Sequence, residues 1–222
     1  MPDQGLAREL FGGDVLVASS PIDGRADDLL PDERAACARF AERRVREFAT
    51  GRRCARQLLG QMGWTVFPLG RDAQRVPLWP PGVVGSISHT KDLCLVAVAS
   101  TRDVAGLGVD VEGAEPLAPK LWSRICTPRE RRWLEAQPQA ERGRWAKLLF
   151  SVKECSYKAW FPLTRQRWGF QEIEIEFDPS RREFRVSMAG LEEHLGHPAT
   201  GVYRRGRRWV MAGLSLPARD TP

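Results

Sequence analysis

Asp110 and Glu112 end an apolar run that is predicted to form a β-strand, Val104–Val111. Side chains two apart in a strand lie on the same face, about 7 Å from each other. Two like charges at that distance repel unless a cation lies between them, and Mg²⁺ prefers oxygen ligands from carboxylates, phosphates and water. The pair therefore indicates a divalent cation site, although this spacing alone is more typical of an acidic surface.

A third carboxylate, Glu154, precedes Lys158 by four residues inside an otherwise apolar stretch, Phe150–Trp160, which also contains Lys153. On a helix, residues four apart lie on the same face. By itself this spacing is typical of a solvated ion pair on an amphipathic helix. The upstream carboxylates make a second interpretation worth weighing, in which Glu154 joins them around a cation and the lysines neutralise an anion.

Two further features complete a site of that kind. His89 lies in a tight turn between two predicted strands, and the segment from Arg39 to Arg56 is rich in arginine along one helical face. A solvated surface is the default interpretation of such a face, but Arg44 and Arg52 are two helical turns apart and can reach toward one phosphate-sized anion. Taken together, the carboxylates, lysines, histidine and arginines predict a metal–diphosphate site.

These residues must be positioned by helices and strands that the apolar pattern predicts. A helix is expected from Pro31 to Met62, as one piece or broken at Thr50–Gly51, and a central helix from about Ala140 to Phe161. A short helix is expected from the capping box at Thr127–Glu130 to about Glu135, and the remaining segments alternate as strands and turns. The expected strands are Val15–Ala18, Val83–Ser88, Leu93–Ser100, Val104–Val111, Phe170–Phe177, Phe184–Met188, Val202–Arg204 and Trp209–Leu216. Both halves thus combine helix with antiparallel strands, which predicts an α+β fold of two similar subdomains, 1–103 and 104–222.

Composition limits the class of protein. The chain has 222 residues, 42% of them hydrophobic, and a formal charge of +6 that comes mostly from arginine. Arginine suits phosphate or an acidic protein partner, with nucleic acid as a further possibility. The five scattered cysteines form no C-x-x-C pair, so neither a zinc site nor a disulfide framework is expected. No apolar run is long enough to cross a membrane, and the N-terminus lacks a signal peptide, so we expect a cytoplasmic protein.

Three blocks carry a family resemblance: Val84–His89, Leu107–Glu112 and Phe150–Trp160. Their order and spacing resemble the signature blocks of the surfactin-type 4'-phosphopantetheinyl transferases. The segments around Pro77–Pro80 and Gly51–Arg56 resemble the enterobactin-synthase-component-D-like and actinobacterial branch. The resemblance covers roughly residues 40–170 and implies the phosphopantetheinyl transferase fold, with two pseudo-symmetric subdomains that each pack a small antiparallel sheet on helices.

The resemblance also implies an activity: Mg²⁺-dependent transfer of 4'-phosphopantetheine from coenzyme A to a serine of an acyl or peptidyl carrier protein, with Mn²⁺ as a possible substitute. Asp110, Glu112 and Glu154 would bind the metal. Glu154 would act as general base and Lys158 would stabilise the charge on phosphorus. The coenzyme A ligands would be Arg44, Arg52, Arg71, Arg75, Ser88, His89, Lys153 and Lys158. The loop Phe161–Gly169, with Arg165 and Arg167, would meet the carrier.

Two rival functions stay open at this point. One is an arginine-rich nucleic-acid-binding protein, which would not need the carboxylate cluster. The other is a homologue that binds carrier proteins without catalysis, although the expected carboxylates and lysines are all present. Our main expectation is the transferase, acting on carriers of polyketide, fatty acid, nonribosomal peptide or siderophore synthesis, with no nucleic-acid or membrane partner. Duplication within one chain favours a monomer.

Overall fold

The structure is a computed structural model that describes residues 4–196 and 198–218. It contains seven helices and eight strands within those residues. The helices are α1 (Gln4–Arg8), α2 (Pro31–Ala36), α3 (Glu42–Gln61), α4 (Trp122–Ile125), α5 (Pro128–Glu135), α6 (Gln139–Thr164) and α7 (Leu191–Leu195). The strands are β1 (Val15–Pro21), β2 (Val83–His89), β3 (Leu93–Ser100), β4 (Val104–Gly113), β5 (Glu174–Asp178), β6 (Glu183–Ser187), β7 (Ala199–Arg205) and β8 (Trp209–Pro217).

The strands form two antiparallel sheets, with orders β1-β3-β2 and β4-β8-β7-β6-β5. The expected α+β class and the packing of each sheet on helices are therefore confirmed. None of the helices in the described part of the chain is long and apolar enough to cross a membrane.

Alternation along β3 and β4 explains how the two sheets meet. On β3, Cys94, Val96 and Val98 pack toward α3, whereas Leu95 and Ala97 pack toward the other sheet. Those two side chains share a buried cluster with the other strands, which contribute Leu107, Val109, Val111, Trp209 and Met211. The alternate residues of β4, including Asp110 and Glu112, consequently lie on the face of β4 that meets α6.

Glycine allows α6 to lie directly on β4. A Cβ atom added at Gly108 would overlap the carbonyl oxygen of Cys155, and one added at Gly106 would lie 2.5 Å from the carbonyl oxygen of Ala159. The thiol of Cys155 donates a hydrogen bond to the carbonyl oxygen of Gly108 at 3.2 Å. Glycine at these positions therefore sets the distance between the strand that carries Asp110 and the helix that carries Glu154.

Several predicted boundaries differ from the structure, three of them near the site. The helix expected from Pro31 is broken at residues 37–41, not at Thr50–Gly51. Gly51 lies inside α3, where a Cβ atom would be 3.3 Å from Ile87. Helix α6 continues through Pro162 to Thr164 and ends where Arg165 takes a left-handed backbone conformation, so the expected loop at 161–169 is shorter. The strand expected from Phe170 begins only at Glu174, after a short 3₁₀ turn.

Candidate active site between the two sheets

Asp110 lies at the centre of the cleft and is 2% exposed. Its Oδ1 accepts hydrogen bonds from Lys158 Nζ at 2.7 Å and from Ser88 Oγ at 2.8 Å, and its Oδ2 accepts one from Ser151 Oγ at 2.8 Å. These donors come from β2 and from two positions on α6. One carboxylate thus joins both halves of the chain and holds the Lys158 ammonium in place.

Lys158 carries a stabilised positive charge. Burial opposes that charge, but the neighbouring Asp110 carboxylate offsets the effect, and the pKa of Lys158 is raised. Its Nζ also donates to Ser88 Oγ at 3.0 Å. The ammonium group is therefore fixed before any substrate arrives, which is the condition for stabilising a developing negative charge at low reorganisation cost.

Glu112 and Glu154 lie beside Asp110. Burial raises the pKa of both carboxyl groups, and the negative charge of Asp110 adds to the effect at each. Glu112 accepts a hydrogen bond from Lys147 Nζ at 3.4 Å. No side chain among the described residues donates a hydrogen bond to Glu154, so this carboxylate keeps its full capacity to accept a proton or a ligand.

The three carboxylates line one cavity of ≈350 Å³. Its other lining residues are Arg44, Ile87, Ser88, His89, Phe150 and Lys158. Across residues 4–196 and 198–218, no three acidic, histidine or cysteine side chains approach closely enough to form a metal-ligand group. The structure thus brings the expected metal ligands to one cavity but not to metal-binding distances.

A second, larger cavity of ≈530 Å³ adjoins the first and contains the predicted phosphate-binding residues. Arg44, Arg52, Arg71, Arg75, His89 and Lys158 all line it. Apolar side chains, among them Trp79, Tyr157 and Phe161, form much of its remaining wall. Since Arg44, His89 and Lys158 line both cavities, the two form a continuous cleft that carries cations at one end and carboxylates at the other.

Arg44 and His89 form the junction between the two cavities. The Arg44 guanidinium contacts Nε2 of His89 and donates to Glu47 Oε2 at 3.0 Å. Burial lowers the pKa of His89, and the adjacent Arg44 charge lowers it further. His89 is therefore a neutral imidazole near pH 7, which suits a hydrogen bond to a phosphate oxygen more than an ion pair with one.

Arg52 and Arg71 are anchored to the protein itself. Arg52 Nε donates to the carbonyl oxygen of Leu69 at 2.7 Å, its guanidinium lies 4.1 Å from the Phe48 ring centroid, and burial lowers its pKa to about 10. The Arg71 guanidinium lies 4.9 Å from the Phe40 ring centroid. Both cations are held by these contacts at the wall of the larger cavity.

The structure does not bring Lys153 to the cleft. Its side chain is fully buried, and Nζ lies 2.7 Å from Glu130 Oε2 while donating to the carbonyl oxygens of Ile125 and Phe170 at 2.8 and 2.7 Å. All the other predicted site residues line one or both cavities. The phosphate contact implied for Lys153 by the resemblance is not made from this position.

Sequence reasoning named Ser88 only as a coenzyme A ligand and did not identify Ser86 or Ser151, although all three serines support the site. Ser86 Oγ accepts a hydrogen bond from the backbone N–H of Val109 at 3.1 Å, and Ser88 Oγ accepts one from Val111 at 3.3 Å, so β2 and β4 are joined through side chains. Ser151 binds Asp110. The available signal was the spacing of Ser86 and Ser88, two polar residues on one face of a strand with buried neighbours.

Comparison with known proteins agrees with this arrangement. Residues 32–99 match the family model of the 4'-phosphopantetheinyl transferase N-terminal domain, and residues 106–204 match that of the 4'-phosphopantetheinyl transferase superfamily. The expected family is therefore confirmed.

Named relatives include members of the expected branch. The 4'-phosphopantetheinyl transferase PptT of Mycobacterium tuberculosis is 36% identical over 195 residues, 85% of this chain and 84% of that protein. The 4'-phosphopantetheinyl transferase Svp of Streptomyces mobaraensis is 42% identical over 158 residues, which are 70% of this chain but only 64% of Svp. Enterobactin synthase component D of Salmonella typhimurium is 34% identical over 123 residues, which are 53% of this chain and 48% of that protein. On these matches, the chain belongs to the 4'-phosphopantetheinyl transferase superfamily.

Proposed function

We propose that this chain transfers 4'-phosphopantetheine from coenzyme A to a serine of an apo acyl or peptidyl carrier protein, yielding holo-carrier and adenosine 3',5'-bisphosphate. The observation that carries the proposal is the continuous cleft in which an arginine-lined cavity meets three carboxylates through Arg44, His89 and Lys158. The transferases named among the relatives support the same activity.

The reaction requires one P–O bond to form and one to break. The serine Oγ bonds to the phosphorus that carries pantetheine, the bond from that phosphorus to the bridging oxygen breaks, and its electron pair leaves with the bisphosphate. The serine proton passes to Glu154, directly or through one water. Glu154 suits this role because its carboxylate accepts no hydrogen bond from the described residues and its raised pKa makes it a stronger base than an ordinary carboxylate.

Positive charge beside the carboxylates stabilises the transition state. Lys158, held by Asp110 and Ser88, neutralises charge on the reacting phosphorus and its bridging oxygen. His89 hydrogen-bonds the nucleotide phosphates where the cavities join, and Arg44, together with the arginines deeper in the larger cavity, binds the 3'-phosphate. Those deeper residues are Arg52, Arg71 and Arg75.

We assign Mg²⁺, or Mn²⁺ in its place, to Asp110, Glu112 and Glu154. The donor set fits a hard cation because it offers only carboxylate oxygens, and the raised pKa values of Glu112 and Glu154 reflect burial and crowded negative charge that a cation would relieve. When bound, such an ion polarises the phosphorus and neutralises the diphosphate. Asp110 would share its carboxylate with Lys158.

The finer assignments are proposals of the same kind. We divide the chain into subdomains 1–103 and 104–222 with the active site between them. We place the protein in the cytoplasm as a monomer that serves carriers of polyketide, fatty acid, nonribosomal peptide or siderophore synthesis. Chromatography with in-line light scattering tests the monomer directly, because a dimer would elute at twice the chain mass.

Intact mass spectrometry of the acceptor tests the activity. The chain is incubated with coenzyme A, Mg²⁺ and a panel of apo carrier domains, and one carrier is expected to gain the mass of a single phosphopantetheine group. EDTA and Asp110→Ala should each abolish the gain. Carrier binding without any mass gain would instead support a non-catalytic homologue. DNA binding that persists in Glu154→Gln, with no carrier modified, would support the nucleic-acid alternative.

A further inference from the structure

An exposed group of arginines lies outside the cleft described above. Arg144, Arg182, Arg205 and Arg207, here called the arginine face, line an open cavity of ≈780 Å³ at the far end of the larger sheet. They come from α6, from the turn between β5 and β6, and from the tip of the β7–β8 hairpin. The proposed reaction uses none of them.

The arginine face carries positive charge that the described residues do not fully neutralise. Glu141 is the one acidic residue among them that lines the cavity, and its carboxylate is shared between Arg144 at 2.9 Å and Arg205 at 2.6 Å. Arg182 and Arg207 form no ion pair with any residue in the described part of the chain. An exposed surface with this excess of guanidinium groups fits a partner that offers carboxylates or phosphates.

The position of the arginine face follows from β4 and α6, which run antiparallel along the cleft. On β4, Ala105 lines the larger cavity of the cleft, and Asp110 and Glu112 line the carboxylate cavity. Ala114, directly after β4, lines the cavity at the arginine face. On α6, Lys158, Glu154 and Arg144 follow in the same order. Both elements therefore place the arginine face beyond the carboxylates, at the end of the cleft opposite the larger cavity, here called the coenzyme cavity, which contains Arg44, Arg52 and Arg71.

That placement suits the entry of the acceptor. The attacking and leaving oxygens of a phosphoryl transfer lie roughly in line, so the acceptor serine must approach away from the leaving nucleotide. Ten residues of α6 separate Glu154 from Arg144, a helical rise of about 15 Å. A protein whose serine reaches Glu154 can rest neighbouring side chains on the arginine face at that distance.

The geometry favours a protein surface over a small anion. All four arginines are exposed and come from three separate elements, so they present spread charge, not an enclosed pocket with buried donors. The loop expected to meet the carrier is less suitable, because Arg165 already pairs with Asp72 at 2.5 Å and lines the coenzyme cavity. We propose that the arginine face docks an acidic segment of the carrier protein, an inference that rests on the proposed function.

The double charge reversal Arg182→Glu/Arg207→Glu tests this docking surface. Both side chains are exposed, so the fold should be unaffected, which thermal unfolding checks. We expect the KM for the apo carrier to rise about tenfold at low salt, with kcat and the KM for coenzyme A unchanged. The reason is that exposed charges act mainly on the rate at which two proteins associate. The effect should shrink as salt is raised, since the Debye length is about 10 Å at 0.1 M.

Two comparison variants make the test specific. Arg185→Glu, on an outward-facing position of β6 and outside the cavity, should leave the KM for the carrier unchanged. Arg167→Glu tests the alternative loop. If the unmodified chain is active but the double variant keeps a normal KM for the carrier, docking on the arginine face is overturned. It is also overturned if Arg167→Glu raises the KM for the carrier and the double variant does not. Absence of transfer by the unmodified chain overturns the proposed function together with this docking surface.

Discussion

Lys153 and Glu130 form an ion pair inside the core of the C-terminal half, with Nζ 2.7 Å from Oε2 and the two side chains 0% and 2% exposed. Glu130 also accepts hydrogen bonds from the backbone N–H groups of Thr127 and Ile175, each at 2.8 Å. Burial lowers the pKa of Lys153 and raises that of Glu130, so each charge depends on its partner. The pair ties α6, which carries Glu154, to α5 and to the start of β5.

Removing only the lysine should destabilise the fold. Lys153→Met leaves the Glu130 carboxylate buried without its counter-ion, and the carbonyl oxygens of Ile125 and Phe170 lose their donor. We expect a loss of about 3–5 kcal/mol in the free energy of unfolding, measured by urea denaturation. Lys153→Met/Glu130→Gln should recover much of this, because no unpaired charge then remains.

The same double variant separates the two roles available to Lys153. If the lysine acts only through the ion pair, the refolded double variant keeps the affinity of the unmodified chain for coenzyme A in a calorimetric titration. A double variant that folds but binds coenzyme A much more weakly would instead assign Lys153 to the phosphates, as the family resemblance implies.

For Lys153, the apolar pattern of the sequence and the family resemblance indicate different positions. On a helical wheel, Lys153 falls between Leu149 and Ser156 on the buried stripe of α6, one residue away from the face that carries Glu154 and Lys158. The apolar pattern therefore predicts that Lys153 is buried, whereas the family resemblance implies that it binds phosphate. Its partner Glu130 lies in a separate capping box, and no local pattern links the two.

The strands were predictable because their residues alternate or are continuously apolar, and β2, β3 and β4 lie close to their expected bounds. The break between α2 and α3 was not predictable in the same way, because Gly51 predicts a break but lies within α3, where it packs against Ile87 of another element. Likewise, Asp110 and Lys158 were each singled out from the sequence, but their direct contact depends on how β4 lies against α6. Contacts of that kind are tertiary, and periodicity within one segment carries no information about them.

Gly108→Ala should lower both stability and activity, because it changes the packing of β4 against α6 beneath the site. The added methyl group meets backbone atoms of α6 at Cys155 and Ala159, which cannot rotate away, so strand and helix must separate. We expect a stability loss of about 1–3 kcal/mol. Displacing a catalytic group by 1 Å costs about 100-fold in rate, so kcat should fall clearly while the protein remains folded.

Gly60→Ala is the matched control for that substitution. Gly60 lies exposed in α3 with no atom within 4 Å of the added methyl group, so alanine should raise stability by up to about 1 kcal/mol and leave kcat unchanged. Equal effects from both substitutions would contradict the close contact of β4 with α6.

Lys158→Met should lower kcat more than it weakens coenzyme A binding. The ammonium group is fixed by Asp110 and Ser88 where charge develops during transfer, whereas several arginines share ground-state binding of the phosphates. Removal of a preorganised donor of this kind costs about 100- to 1,000-fold in kcat. Steady-state kinetics measures the change, with Lys91→Met, exposed in the β2–β3 turn, as control. A rise in KM for coenzyme A at constant kcat would show that Lys158 serves binding only.

Dephospho-coenzyme A, which lacks the 3'-phosphate, identifies the arginines that bind that group. The unmodified chain should bind coenzyme A more tightly than dephospho-coenzyme A, and a variant that removes a 3'-phosphate ligand should narrow this affinity ratio. A hydrogen bond to a charged group contributes about 1.5–3 kcal/mol, so the ratio should fall by roughly ten- to a hundredfold. Calorimetric titration of Arg44→Gln and Arg71→Gln with both ligands measures it, because these side chains line the cavity from α3 and from the loop after it.

Arg52→Gln should behave differently from those two variants. Its guanidinium donates to Leu69 inside the protein and stacks on Phe48, so its loss should first reduce stability, by about 1–3 kcal/mol, through the unpaired carbonyl group. Arg39→Gln, exposed and outside the cavity, is the control. It should change neither stability nor the ratio of the affinities for coenzyme A and dephospho-coenzyme A. If neither Arg44→Gln nor Arg71→Gln narrows the ratio, and Arg75→Gln does, the 3'-phosphate lies against the loop at Arg75. If none of them narrows it, the phosphate binds outside this cavity and the proposed direction of the coenzyme in the cleft is wrong.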